Sequence, residues 1–130
     1  MGVNISILQG RVTTRQEVFD KLASLVNTGV IGTIVIDPDT AAGVLNRVLV
    51  RRTVGNTLES FTVSIFDDVS KSLDNLVFEA TAEGQDRMDV IRSELARFSN
   101  PNSKQLFIEV KTTTAGHSFQ IRLQGDKTRT

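Results

Sequence analysis

The sequence predicts an α+β fold: an antiparallel β-sandwich or barrel with two flanking helices, built from two strand–helix–strand–strand repeats. Three observations predict it. Short runs of alternating apolar and polar residues recur between glycine-rich turns, as in Phe61, Val63 and Ile65. Two segments, 13–29 and 86–98, carry apolar residues near the helical period behind good capping residues. The order of elements and their punctuation then repeats along the chain.

The elements follow in order. Val3 to Leu8 reads as a strand, with Val3, Ile5 and Ile7 on one face, and Gly10 closes it. Thr13 or Thr14 caps a helix whose stripe is Val18, Leu22 and Leu25, flanked by Phe19 and Val26, and Gly29 suits its C-terminal cap. Ile31 to Ile36 is a strand, and Asp37-Pro38-Asp39-Thr40 a turn. Val44 to Arg52 and Leu58 to Phe66 read as a hairpin across Gly55-Asn56. After a polar connection from Asp67 to Asn75, a strand runs from Leu76 to Ala82. Asp86 caps a second helix with Met88, Ile91, Leu95 and Phe98 inward, stopped at Pro101. Strands Leu106 to Val110 and Ser118 to Leu123 complete the set around the turn Ala115-Gly116, and Gly125 to Thr130 is a frayed tail.

One domain, residues 1–130, is expected, with pseudo-repeats 3–68 and 75–125. Gly10 corresponds to Gly84 and Thr13 to Asp86. Val18, Leu22, Ala23 and Asn27 fall on Ile91, Leu95, Ala96 and Asn100. Two copies of one unit close on each other when neither buries its apolar face alone. The strand within 58–66 follows the first copy and has no equivalent after the second.

Composition narrows the function. Fifteen basic and fifteen acidic residues cancel, so the broad attraction to phosphate on which non-specific nucleic-acid binding rests is missing. There is no cysteine, which excludes disulfides, thiolate metal sites and cysteine nucleophiles. No run of about 18 apolar residues marks a membrane span. The single histidine, His117, reads as a solvated turn residue without a second imidazole to share a metal or a proton. Asp37 and Asp39, like Asp67 and Asp68, read as loop-ending polar residues and lack the further ligands of a calcium loop. No glycine-rich phosphate loop and no nucleophile–histidine pair is present. No catalytic residue, metal ligand or cofactor is therefore expected, and the chain reads as non-enzymatic.

What remains is surface. Arg47, Arg51 and Arg52, with Lys127 and Arg129, form the nearest approach to a basic patch, and Arg47 and Arg51 share one strand face. Such residues also guard an exposed strand edge against indiscriminate pairing. The unmatched strand contributes Phe61, Thr62 and Phe66. These six residues, Arg47, Arg51, Arg52, Phe61, Thr62 and Phe66, are the interface candidates.

The run Asn4-Ile5-Ser6-Ile7-Leu8-Gln9-Gly10-Arg11-Val12, the helix with Arg15 near its start, Gly32-Thr33-Ile34-Val35-Ile36 and the hairpin ending in Asp67-Asp68 resemble bacteriophage distal tail and tail-tube proteins. The resemblance covers roughly residues 3–68 and is one of pattern. It implies a helix-flanked sandwich or barrel, forming a ring about the tail axis as a tail or baseplate component. Its partners would be copies of itself and neighbouring virion proteins, with neither nucleic acid nor membrane among them. Its place would be the virion, after assembly in the host cytoplasm. A regulatory or inhibitory protein-binding module, and a nucleic-acid-binding protein using the basic strand, are the alternatives.

If the unmatched strand is an assembling surface, Val63→Asp should unfold the chain, because Val63 is expected to face the core. Thr62→Asp should leave the monomer folded, by circular dichroism, and weaken its assembly, by light scattering. Normal assembly of both variants would exclude this strand.

Overall fold

A computed structural model of the chain describes residues 17–56, 58–101 and 104–128. The strand expected at 3–8, its closing Gly10, the caps Thr13 and Thr14, and Arg129 lie outside these residues. The described chain forms eight strands: β1 (Val18–Val26), β2 (Ile31–Ile36), β3 (Ala42–Val54), β4 (Phe61–Phe66), β5 (Leu76–Ala82), β6 (Arg87–Ser99), β7 (Leu106–Thr112) and β8 (Ser118–Lys127). The only helical element among the described residues is a single 3-10 turn at Leu73–Asn75. The fold is all-β, which overturns the α+β expectation and both flanking helices.

The physical reason differs at the two sites. In β1 the inward side chains are Phe19 and Leu25, with Lys21 and Ala23 half-buried between them, a period of two. Val18, Leu22 and Val26, spaced like a helical stripe, instead line the outward face and are 67%, 75% and 76% exposed. In β6 a bulge disguises the period. Ile91 pairs with Arg47 and Ala96 with Leu45, so residues 92–95 stand opposite Asn46 alone. The insertion, with Glu94 at φ 82°, breaks the ladder but keeps the parity of β6, so Met88 and Phe98 on either side of it both point inward. Ile91 is left outside at 65% exposure. A strand interrupted in this way has the residue spacing of a helix.

The strands form two antiparallel four-stranded sheets, ordered β1-β8-β3-β6 and β2-β7-β4-β5. Pairing runs inward from the two ends of the described chain: β1 with β8, β2 with β7, β3 with β6 and β4 with β5. Two further ladders, β3 with β8 and β4 with β7, complete the sheets. This is one long hairpin wrapped over itself into a double-sheet jelly roll. The hairpin expected between β3 and β4 does not form, because their connection crosses from one sheet to the other. The expected frayed tail also differs: Gly125 to Lys127 belong to β8.

The inward faces share one core containing Leu45, Val48 and Val50 from β3, Phe61, Val63 and Ile65 from β4, and Ile108, Val110, Ile121 and Leu123 from β7 and β8. Val63 faces this core. At one side, glycines make room for rings on neighbouring strands. Gly43 is the register partner of Phe98, and Gly125 that of Phe19. The two rings meet edge to face at 5.9 Å. A Cβ at Gly43 would stand 2.5 Å from the Asp126 carbonyl oxygen and 2.7 Å from Phe98 Cζ, and one at Gly125 would stand 2.6 Å from Phe19 Cζ. Each glycine is thus covered by a cross-strand aromatic ring. Gly43→Val should cost about 3 kcal/mol, since backbone blocks the added atoms and the core is overpacked. A lowered urea midpoint at unchanged slope would show it.

Candidate functional site

Connections alternate between the two ends of the sandwich. At one end lie 27–30, 55–56 with 58–60, 83–86 and 113–117, and buried polar groups tie these four loops together. Arg52, at the end of β3, turns inward with its side chain 1% exposed. Its guanidinium donates to the carbonyl oxygens of Asn56 and Glu59 and to Asp86 Oδ1 at 3.2 Å. It lies over the rings of Phe61 and Phe119, 5.2 and 5.8 Å from their centroids. A desolvated cation persists because carbonyl dipoles, a carboxylate and two π-faces surround it.

Beside it, the Glu59 carboxylate accepts from the Thr113 and Thr114 amides at 2.7 and 2.8 Å and from the Thr114 hydroxyl at 2.7 Å. His117 Nε2 lies 3.4 Å from Glu59 and 3.2 Å from Thr114 Oγ1. The His117 ring is buried and stacks on Phe119 at 6.4 Å. A Cβ at Gly55, where φ is 128°, would press on that ring, so the loop needs glycine there. The first loop joins through the Asn27 amide, which donates to the His117 carbonyl at 3.2 Å. His117 is therefore a packed loop-binding residue, contrary to the solvated reading. Its neighbour Gly116 gives it the pattern of an ordinary turn residue, and its partner Glu59 is remote in sequence.

The second polar assembly covers the outward face of β1-β8-β3-β6. Arg47 reaches Asp89 through Nε at 3.0 Å and Nη2 at 2.9 Å, and Arg87 shares that carboxylate at 3.2 Å. Arg122 forks onto Asp20 at 2.9 and 2.6 Å, and Gln124 joins it at 3.1 Å. The Arg122 hydrogen bond is the main force holding the Asp20 carboxyl below its usual range, and Arg47 does the same for Asp89. Arg51 donates to Gln120 at 2.8 Å and has no ion-pair partner among the described residues. Three arginines thus share two carboxylates and Arg51 adds a fourth charge, which leaves the face with an excess of positive charge.

The six expected interface residues do not form one surface. Arg47 and Arg51 share an outward face, as their spacing implied. Arg52 points the opposite way, because successive side chains of a strand alternate and it follows Val48 and Val50 on the inward face, and it serves the loop network. Phe61 and Phe66 are core residues, 1% and 6% exposed, and present no surface. Thr62 lies on the outward face of the other sheet, its hydroxyl 2.9 Å from that of Thr81. Arg87 and Arg122 carry no signal in the sequence: the first lies in a segment of helical spacing, and the second joins Arg47 and Arg51 only through strand pairing. Lys127 ends β8, beside Gly43 and at the opposite end of the β3–β8 ladder from Arg51.

Among the described residues no group of three or more His, Asp or Glu side chains is placed to hold a metal ion. Open pockets do occur on the sheet; the one floored by Leu22, Leu49 and Ile121 is rimmed by Arg51, Arg87 and Arg122.

The hydrogen bonds of Glu59, led by that from the Thr114 hydroxyl, hold its carboxyl below the usual value of 4.5. A depressed folded value stabilises the fold above the unfolded value, and that contribution is lost as pH falls through the folded value. Glu59→Gln should lower the urea midpoint at neutral pH. It should also flatten the fall in stability on acidification below about pH 4.5, because the variant has no carboxylate to protonate.

No protein-family model matches the chain, and no curated protein matches it. Among solved structures it is similar to that of tomato aspermy virus, at 11% identity and a TM-score of 0.44, covering 85% of this chain and 79% of that one. It is also similar to the Yersinia pseudotuberculosis-derived mitogen, at 8% identity and a TM-score of 0.39 over 89% and 90% of the two chains. A third is the VLP of the extra small virus of the giant freshwater prawn Macrobrachium rosenbergii, at 10% identity and a TM-score of 0.38 over 87% and 81%. Identities of 8–11% with TM-scores below 0.5 stop short of a shared family, and the description of the fold rests on its own strand order.

Proposed function

We propose that the chain is a non-enzymatic viral structural protein, a coat-type subunit of a virion whose work is to bind further copies of itself. The observation that carries this reading is the eight-stranded double-sheet jelly roll, β1-β8-β3-β6 over β2-β7-β4-β5. Viral capsid domains are among the main users of that architecture, beside lectin domains and cupins. Fold alone does not specify function, so the surface has to support the choice. It does so in two ways. Large apolar side chains stand exposed on both sheets and on a connection: Val18, Leu22 and Val26 on β1, Ile31 and Val35 on β2, Val69 and Leu73 between β4 and β5. Such exposure marks surfaces that another molecule covers. The network at the four-loop end also holds those loops in one arrangement, which lowers the ordering cost when a neighbour docks.

The tail or baseplate form of this reading loses its support. The resemblance behind it depended on a helix in the first half of the chain, and the described part of that segment is β1. The nucleic-acid alternative draws on the Arg47, Arg51, Arg87 and Arg122 face, but Asp20 and Asp89 neutralise much of it. A face of mixed sign fits protein better than phosphate backbone.

Purified chain should sediment as large assemblies or discrete oligomers at high concentration, and its light scattering should report the same. A chain that stays monomeric at every concentration reached would overturn the coat reading.

A further inference from the structure

The connection between β4 and β5 is built as a knob. Its ends are closed by the Asp67 amide donating to the Asn75 carbonyl at 3.0 Å, and Asp67 also accepts from the Ser99 amide at 3.1 Å. Within it, Asp68 accepts from the Ser70 amide at 3.0 Å, and Ser72 donates to Asn75 Oδ1 at 2.8 Å. The left-handed residue Lys71, φ 50°, turns the chain. This scaffold holds Val69 and Leu73 out in solvent, 69% and 83% exposed, between the carboxylates of Asp68 and Asp74. Leu73 is the most exposed large apolar side chain among the described residues. Nothing in the sandwich requires it there.

On the outward face of β1-β8-β3-β6 is the complementary shape. Leu22 and Leu49 line an open pocket over Ile121, and Arg51, Arg87 and Arg122 rim it. Arg51 brings a charge with no carboxylate partner among the described residues, and Arg87 shares Asp89 with Arg47. The knob is apolar with an acidic collar, and the pocket apolar with a basic rim.

One copy cannot fill its own pocket. The knob is tied to Ser99, which pairs with Ala42 at one end of the β3–β6 ladder, whereas Arg87 pairs with Arg51 at the other. Nine residues of β3 separate the two pairs, about 30 Å at the usual rise of a strand.

We propose that the Val69–Leu73 knob of one copy docks in the Leu22–Leu49 pocket of the next, with Asp68 and Asp74 meeting Arg51 and Arg87. The contact rests on the coat reading and names the surfaces through which it works. The two patches differ, so the contact is head-to-tail and propagates: it closes into a ring where the rotation between copies allows, and otherwise continues. It also gives the neutral total charge a meaning, since cationic face and acidic knob are spent against each other. Apolar burial supplies the affinity, and charge selects the register.

Three proteins compared by sedimentation test this: the unaltered chain, Leu73→Asp, and the double variant Arg51→Glu/Arg87→Glu. All these positions are exposed, and circular dichroism should show each variant folded. Each variant should self-associate about tenfold more weakly or worse, as expected when a central contact is lost. Mixed together, the two variants should form pairs and no larger species, because one retains only the pocket and the other only the knob. If the unaltered chain assembles and both variants assemble equally well, or if the mixture yields no pairs, this contact is wrong while the coat reading stands. A monomeric unaltered chain refutes the coat reading itself.

Discussion

Everything in this sandwich depends on each sheet burying one face against the other, which assigns every side chain to the inside or the outside by parity along its strand. The wrapped hairpin makes that assignment unusually rigid, because β3, β8, β4 and β7 each pair on both sides. A one-residue slip in any of them would expose residues such as Leu45, Val63, Ile108 or Ile121, all of which are fully buried. Irregularities therefore sit where the residues beyond them still face the core: the extra residue Asn46 lets Leu45 and Val48 of β3 both point inward. The bulge opposite Asn46 lets β6 lengthen without turning Phe98 out.

The same rule separates two kinds of polar residue on one strand. Arg47 and Arg51 project outward to a shared ionic surface, while Arg52, one residue further, is carried into the interior. There its charge is met by the carbonyls of the neighbouring loop, by Asp86 and by two phenylalanine faces. Glu59 and His117 extend that network to the loop before β8. An all-β domain has its loops as its most mobile parts, and this end spends its buried polar groups on restraining them. At the opposite end the Asp67–Asn75 connection is restrained by its own hydrogen bonds and by Ser99, yet presents leucine and valine to solvent. A rigid loop with an apolar tip is ordered for contact in advance, and that is what links the fold to assembly.

Much of the strand content was legible in the sequence. The segments 31–36 and 76–82 have the bounds that alternation and turn residues predict, and Val63 faces the core as its spacing requires. The absence of cysteine and the balance of charge are also properties of the sequence alone. What parity along a single strand cannot reveal is which strand lies beside it. Val18, Leu22 and Val26 look helical until Phe19 is paired with Gly125 across the ladder, and Met88 and Phe98 look helical until the bulge between them is seen. The Arg122–Asp20 and Glu59–Thr114 contacts join residues 102 and 55 positions apart, so they exist only once the hairpin has wrapped. Local pattern thus determined where most strands run. Tertiary structure decided that all of them are strands, how they pair, and which charges meet, because only long-range pairing distinguishes an interrupted strand from a helix.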